Sequence, residues 1–405
     1  MRDTIDSAYW RLEVPSAPRQ GRTICLPTVR PPGHQRVLRG AQALLDAGYD
    51  VHFVWLGGEP GETAYHERVR ETRLRPARCL RDRLRAVPRI AELARRAEAD
   101  LWVVHDLYLL PAARRWTRRT GRPIVYDVHE YHPEYYSHRL FPSGVTQQVT
   151  QRLVWGIERR LAADCAGINA VSAELAARFT GLPAVATPNF PQSSDFTHRP
   201  LTPDLLRKVV YAGGVNAYYG METLVETARL LNRAAPDVEL TIVPVFTSDQ
   251  ERHAFFAAID RAGRPGNITV LDRIPPHRVA ELLAGHGIGL STLQDVGQAP
   301  LAIASKLYEY ATVGLAVVAS DLPATRRFLA GNAVAALVPP RRADRYAAAV
   351  LDLIGDAERV CAEVDRAAVR ASGRLCWRTV CAPRIQALVK QALAAPAAAR
   401  TDVPA

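Results

Sequence analysis

The sequence predicts an α/β chain with two doubly wound parallel sheets in series, and three observations predict it. From Thr23 to Val171, short apolar runs alternate with stretches of helical apolar spacing, as in strands joined by crossover helices. The polar, proline-rich stretch PNFPQSSDFTHRPLTPD, residues 188–204, then interrupts the pattern in the manner of an interdomain linker. From Lys208 the alternation starts again, and 405 residues suffice for two domains with a core each.

In chain order, Thr23 to Val29 reads as a strand stopped by Pro31-Pro32-Gly33. A helix with Val37, Ala41, Leu44 and Leu45 on one side follows, then a stop at Gly48 and a strand from Val51 to Leu56, completing a βαβ unit. Leu101 to Val104 is a strand that delivers His105 and Asp106 at its C-terminal end. A helix over Pro111 to Arg119 ends at Gly121, and the strand Ile124 to Val128 delivers His129 and Glu130. Ala166 to Val171 repeats the pattern, with Ser172 placed to cap a helix running through Phe179. In the second half, Lys208 to Tyr211 is a strand, Gly213-Gly214 a turn and Met221 to Ala234 a helix. Strands at Glu239 to Val245 and Ile268 to Leu271, a helix at Pro276 to Ala284 and a strand at Gly287 to Leu290 follow. AIASKLYEYATVGLAVVASD, residues 302–321, reads as a helix starting near Ser305, broken at Gly314 and dropping into a strand from Leu315 to Ala319. Asp344 to Arg370 and Trp377 to Leu393 are long helical patterns with Gly373 between them. The expected layout is a Rossmann-like domain over 1–190, a linker over 191–206 and a second Rossmann-like domain over 207–375. A C-terminal helix over 376–395, free to cross back to the first domain, and a disordered tail over 396–405 complete it, with a loosely ordered lead-in to about residue 21.

Composition narrows the function classes. Hydrophobic content of 48% with 23% charged residues is that of a soluble globular protein, and no apolar run approaches the roughly 18 residues of a membrane span. The N-terminus lacks the apolar core of a signal peptide, which points to the cytoplasm. Six cysteines without CxxC spacing read as reduced structural thiols, neither a disulfide framework nor a zinc site. The net charge of +11 invites nucleic acid, a membrane surface or phosphorylated substrates. Eleven arginines crowd the stretch from Arg68 to Arg96, but no aromatic residue is interleaved with them, which argues against nucleic acid. The stretch is expected to be a solvated helical face, or a peripheral contact with an anionic membrane or substrate.

Ligands of open parallel sheets bind beyond the C-terminal strand ends. That rule collects His105, Asp106, His129 and Glu130 from the first half, and Gly213, Gly214, Asn216, the loop from Gln294 to Pro300 and Ser305 to Glu309 from the second. Lys306 is one of only three lysines among 52 basic residues. It stands at a helix start, where free N–H groups favour an anion and a lysine alone does not help the helix, so a diphosphate is the natural occupant. Ser305 is placed to cap that helix and Glu309 lies one turn on. Gly213 and Gly214 allow backbone to approach a phosphate closely, but no GxGxxG fingerprint is present, which counts against NAD.

Three segments together carry a family resemblance. They are VVHDLYLLPAARRWTRRTGRPIVYDVHEYHPE, YAGGVNAYYGMETLVETARLL and IGLSTLQDVGQAPLAIASKLYEYATVGLAVVASDLPATR. The chain resembles a retaining glycosyltransferase of family 4, in the subgroup that carries the lysine. The resemblance implies the GT-B fold, two Rossmann-like domains facing across a cleft. It implies that Glu309 bonds the ribose hydroxyls of a nucleotide-sugar, that Lys306 and the helix N–H groups around Ser305 and Leu307 hold its diphosphate, and that Gly213, Gly214 and Asn216 line the phosphate loop. It places His129 against the donor sugar, and His105, Asp106 and Glu130 towards the acceptor. The catalytic set it implies is His129, Lys306 and Glu309.

Two positions depart from the family pattern. Leu301 stands where many relatives carry the first glutamate of a pair, and Tyr219 stands where a basic residue usually precedes the glycine of the phosphate loop. Gln294 or Asp295 is a substitute for the first, and an arginine such as Arg326 for the second. The expected function is transfer of a hexose or N-acetylhexosamine from a nucleoside-diphosphate sugar, with UDP the expected base, to an acceptor hydroxyl with retention. No metal or other cofactor is expected, because fixed cations and a helix end can stabilise the departing diphosphate. The acceptor is a small molecule or lipid-linked, and the setting is secondary metabolism or envelope glycoconjugates. The alternatives are a non-catalytic nucleotide-sugar-binding protein of the same fold and an NAD-dependent enzyme.

Overall fold

The structure, a computed structural model, describes residues 18–395 apart from 31–33, 58–60, 78–79, 142, 193–197 and 372. The Pro31-Pro32-Gly33 breaker, most of the lead-in, Cys79 and the tail from residue 396 lie outside the described residues. The chain divides into two compact units: residues up to Asn189 together with those from Trp377 onward, and Phe190–Cys376.

The first unit is built on an eight-stranded sheet. Its strands are β1 (Thr23–Pro27), β2 (Asp50–Leu56), β3 (Gly61–His66), β4 (Val69–Leu74), β5 (Leu101–Val104), β6 (Ile124–Val128), β7 (Gly167–Ala170) and β8 (Ala184–Ala186). They lie in the order β3-β4-β2-β1-β5-β6-β7-β8, parallel throughout except for the β3–β4 hairpin. Helices α1 (Gln35–Asp46), α2 (Leu80–Arg96), α3 (Leu110–Thr120), α4 (His132–Leu140), α5 (Gly144–Ala162) and the short α6 (Ala173–Ala176) connect them. The central strands read as unbroken apolar runs because both sheet faces are covered: all four residues of β5 and all five of β6 are buried. Ile24 of β1 pairs with Val51 on one side and Leu101 on the other, so strand order reverses there. That reversal is where open α/β sheets bind ligands.

The second unit repeats the scheme. Strands β9 (Lys208–Gly214), β10 (Glu239–Val245), β11 (Ile268–Val270), β12 (Ile288–Ser291), β13 (Ala316–Ser320) and β14 (Ala335–Val338) form a fully parallel sheet in the order β11-β10-β9-β12-β13-β14. Val209 of β9 pairs with both Leu240 and Ile288, which puts the reversal between β9 and β12. The helices are α7 (Met221–Ala234), α8 (Asp249–Arg261), α9 (Pro276–Ala284), α10 (Ser305–Val313), α11 (Pro323–Asn332), α12 (Ala343–Gly355) and α13 (Ala357–Ala371). After it, a π-helical turn at Trp377–Cys381 leads into α14 (Ala382–Ala394), which packs on α1, β7 and β8 of the first unit.

Several expectations need correction. The arginine-rich stretch is not one helical face: it opens with the β3–β4 hairpin, and only from Leu80 is it helical. Arg68 is interior and donates to the carbonyls of Leu45 and Tyr49. The helix after Ser172 stops at Ala176, although Ser172 does accept the Leu175 amide as a cap. The long pattern from Asp344 is two helices, divided at Asp356, which α12 uses as its C-cap.

Candidate functional site

In the second unit the site is built at the end of β9 and the start of α10. Tyr211 and Gly213 lie on β9, and α10 brings Lys306 down onto them: its Nζ is 3.4 Å from the centroid of the Tyr211 ring. Gly213 has φ of 136°, and a Cβ there would stand 3.1 Å from the Lys306 Nζ, so glycine is what lets the amine in. Lys306 is only 7% exposed. Burial pulls its pKa from 10.5 down to about 7, against a smaller opposing pull from Glu309. An amine held in this way gains most from an anion that restores its charge.

The start of α10 differs from the expectation. Ser305 is the first helical residue and exposed; the N-cap is Ala304, and among the described residues no side-chain cap closes this end. A free N–H end of this kind is able to receive an anion. Leu307 is fully buried in the core, and its amide donates to the Ala304 carbonyl at 2.9 Å. Glu309 is half-buried one turn on.

The loop from β9 to α7 is held by side chains at its base. Asn216 donates to Glu251 at 2.8 Å and accepts the Tyr219 amide at 3.3 Å, so it shapes the loop. The Tyr219 ring lies directly over Gly214, where any Cβ would overlap it. The Tyr219 carbonyl accepts from Thr292 at 2.8 Å, tying this loop to the one after β12. Gln294 is buried there, donating to the Thr292 carbonyl at 2.7 Å and accepting from Arg341 at 3.1 Å. Asp295 is exposed. Arg326 is gripped by both oxygens of Asp321, at 2.8 and 2.6 Å.

In the first unit the ends of β1, β5 and β6 converge. Asp106 is buried and accepts from the Thr28 hydroxyl at 2.7 Å and the Val29 amide at 2.8 Å, with Arg30 at 3.3 Å, so it fixes the turn after β1. His105 is 1% exposed, and its Nδ1 lies 3.5 Å from Asp127. Its placement beneath the surface is that of a support for the site. Arg36, at the start of α1, donates to Asp127 at 2.7 Å and to the Thr187 carbonyl at 2.7 Å, while Asn169 donates to the other Asp127 oxygen at 3.0 Å.

His129 is half-buried, and Arg30 reaches its Nε2 at 3.1 Å. Because a guanidinium only donates, Nε2 is the acceptor and the ring proton sits on Nδ1. That Nδ1 has no partner among the described residues. Burial first, then Arg30 and His34, hold His129 well below the usual histidine range, so it is neutral at pH 7. His34, 5.7 Å away ring to ring, is pushed down to about 3, mainly by burial. His129 is therefore neutral, with its ring proton on a buried Nδ1. Glu130 is half-buried beside it, and α4 begins two residues on.

Metal-ligating atoms of His105, Asp127 and His129 lie within 4.8 Å of one another. Both Asp127 oxygens are taken by Arg36 and Asn169, and Arg30 donates to His129, so two guanidiniums stand where a cation would have to enter. Arg30, His34, Arg36 and Asp127 were not read from the sequence. Arg36 lies 91 residues from Asp127 and Arg30 lies 99 from His129, and no local pattern marks them.

Comparison with known proteins adds the following. The family profile described as Glycosyltransferase Family 4 matches residues 34–202, and that described as Glycosyl transferases group 1 matches residues 207–356. A phosphatidyl-myo-inositol mannosyltransferase of Mycolicibacterium smegmatis is 27% identical over 370 residues, covering 85% of this chain and 86% of that protein. Among solved structures, sucrose-phosphate synthase from Thermosynechococcus elongatus superposes with a TM-score of 0.74 at 14% identity, covering 91% of this chain and 98% of that one. HepE from Anabaena in complex with UDP gives 0.64 at 16% identity, covering 92% and 98%. The structural likenesses speak to the fold.

Proposed function

On the premise that this chain is a family 4 glycosyltransferase of the GT-B fold, as its two matched halves establish, we propose that it moves a hexose or N-acetylhexosamine from UDP-sugar to an acceptor hydroxyl with retention of configuration. The observation that carries the reading is Lys306, a buried amine with a lowered pKa at an uncapped helix start, against a glycine that leaves it room. Such a group binds a diphosphate and stabilises the charge that builds on it as it leaves. The HepE structure with UDP supports the donor base.

In the proposed reaction the acceptor oxygen bonds to the anomeric carbon on the face from which the diphosphate departs. The electron pair of the breaking C–O bond goes to the diphosphate, and one of its oxygens takes the acceptor proton. Lys306 and the α10 N–H groups hold the diphosphate, and Glu309 holds the ribose. Gly213 and Gly214 let backbone come near the phosphates, with Asn216 shaping their loop. His129 stands against the transferred sugar, and Glu130 serves the acceptor. His105 and Asp106 act through their neighbours. The assignment needs no metal. The relative named for phosphatidyl-myo-inositol supports a lipid-linked acceptor in envelope glycoconjugate synthesis; a small soluble acceptor is the other form.

A second reading, a donor-binding protein without transfer, is favoured by Tyr219, which stands where the family pattern has a basic residue and whose ring covers Gly214. Thermal shifts with UDP-, GDP- and dTDP-sugars, followed by assay of the binders for transfer and slow hydrolysis, separate the two. A UDP-sugar should raise the melting temperature and be consumed. A donor that binds and stays intact overturns the transfer reading, and stabilisation by a GDP- or dTDP-sugar alone overturns the choice of UDP.

A further inference from the structure

We propose that the outer face of α5 is a docking surface for an anionic lipid bilayer. The helix is apolar on both sides: inward, Trp155 packs edge-on against Phe179 and Ala162 is buried, and outward a second apolar stripe meets solvent. Its inward side includes Gln147, Gln151 and the fully buried Glu158, which accepts from Tyr126 at 2.8 Å and pairs with His132 at 2.7 Å. Its outward side presents Val145, Val149, Leu153 and Ile157 at four-residue spacing, 47% to 76% exposed. Leu140 and Phe141, exposed at the α4–α5 corner, extend the same apolar strip. Among the described residues ten large hydrophobic side chains are exposed, and these six are the majority.

Charge decides what covers the face. Arg152, Arg159 and Arg160 are exposed along it, and the sole carboxylate between Leu140 and Ala162 is the buried Glu158. A second copy of the chain would have to pair α5 with itself about a two-fold axis, setting Arg152 against the same arginine with no acid to neutralise either. An anionic lipid surface offers hydrocarbon for the valines, leucines and isoleucine, and phosphate for the arginines. The arginine-rich α2 lacks this combination: among its described side chains Leu84 is the one exposed large hydrophobic, and Arg89 and Arg96 are both paired with Glu92. Among the described residues no helix is long and apolar enough to cross a membrane, so the contact is peripheral. Because α4 starts two residues beyond Glu130 and runs straight into this corner, the surface would set the acceptor side near the bilayer.

The test is co-sedimentation of the full chain with vesicles of phosphatidylcholine, alone or mixed with phosphatidylglycerol. The protein should bind the mixed vesicles, less so as salt rises. Leu153→Asp with Ile157→Asp should weaken binding at least about tenfold with an unchanged thermal unfolding curve. Arg152→Glu with Arg160→Glu should weaken it on mixed vesicles by a similar factor. Absence of binding by the unaltered chain, or equal binding by either variant, overturns the proposal. A dimer on size-exclusion that Leu153→Asp dissociates also overturns it and assigns the face to a second copy. No donor is present in the measurement, so a failure here leaves the transfer reading untouched.

Discussion

Lys306 carries the most chemistry of any single residue. Its amine is desolvated by burial and steadied by the face of Tyr211, with Glu309 the nearby acid that favours its charge. With its pKa at about 7, the free protein holds it increasingly neutral as pH rises above that value. A bound diphosphate favours the charged form, so donor binding should take up a proton at pH 8 and weaken as pH climbs. Calorimetry in buffers of different ionisation enthalpy reads the uptake directly, and Lys306→Ala should abolish it. The same variant should lower kcat/KM at least about tenfold, or roughly 1.4 kcal/mol of transition-state stabilisation. An unchanged kcat/KM would remove Lys306 from the diphosphate. The residue was singled out in the sequence by its rarity and its place at a helix start. Its burial was not legible, because Tyr211 and Gly213 lie more than ninety positions earlier in the chain.

At the scale of elements, the site depends on loops that are bonded to each other and not only to their own strands. Gly220 shows how tightly. It is the N-cap of α7 with φ of 73°, and a Cβ there would run into the Thr292 carbonyl of the loop after β12. Gly220→Ala should therefore destabilise the second unit by about 1–3 kcal/mol and weaken donor binding, since the Gly213–Tyr219 loop must move with it. Thermal unfolding and donor titration of the variant check both, and a wild-type melting curve would contradict the contact. Most strands and helices of this unit were readable to within a residue or two, because buried parallel strands are short apolar runs and helices carry the longer period. The β3–β4 hairpin and α5 were not readable for a common reason. A polar edge strand, an arginine-bearing strand beside it and a helix with an apolar outward face all break the rule that apolar residues mark the interior.

At the scale of the whole molecule, the chain closes its first unit with its last helix. Ile385, Leu388 and Val389 of α14 are buried, and Leu388 rests against Gly167 of β7, where a Cβ would strike it. Trp377 donates to the Arg39 carbonyl at 3.2 Å just before that helix. Leu388→Ala should cost about 2–5 kcal/mol in the first unit alone. All five tryptophans among the described residues belong to that unit, so tryptophan fluorescence should report the lower transition while the second unit melts as before. Coincident shifts of both transitions would contradict the division. The sequence by itself determined the two-fold repetition of the parallel sheet, most of its strands, and which residues stand at the strand ends: His105, Asp106, His129, Glu130, Gly213 and Gly214. These are legible because hydrophobic period and glycine placement are local properties. Only the tertiary structure decided that His105 lies beneath the surface, that Arg30 fixes the His129 tautomer, that Arg36 occupies Asp127, and that Lys306 is buried on Tyr211. Each of those facts joins segments far apart in the chain, and it is the order of strands in the sheet, which no local period encodes, that brings them together.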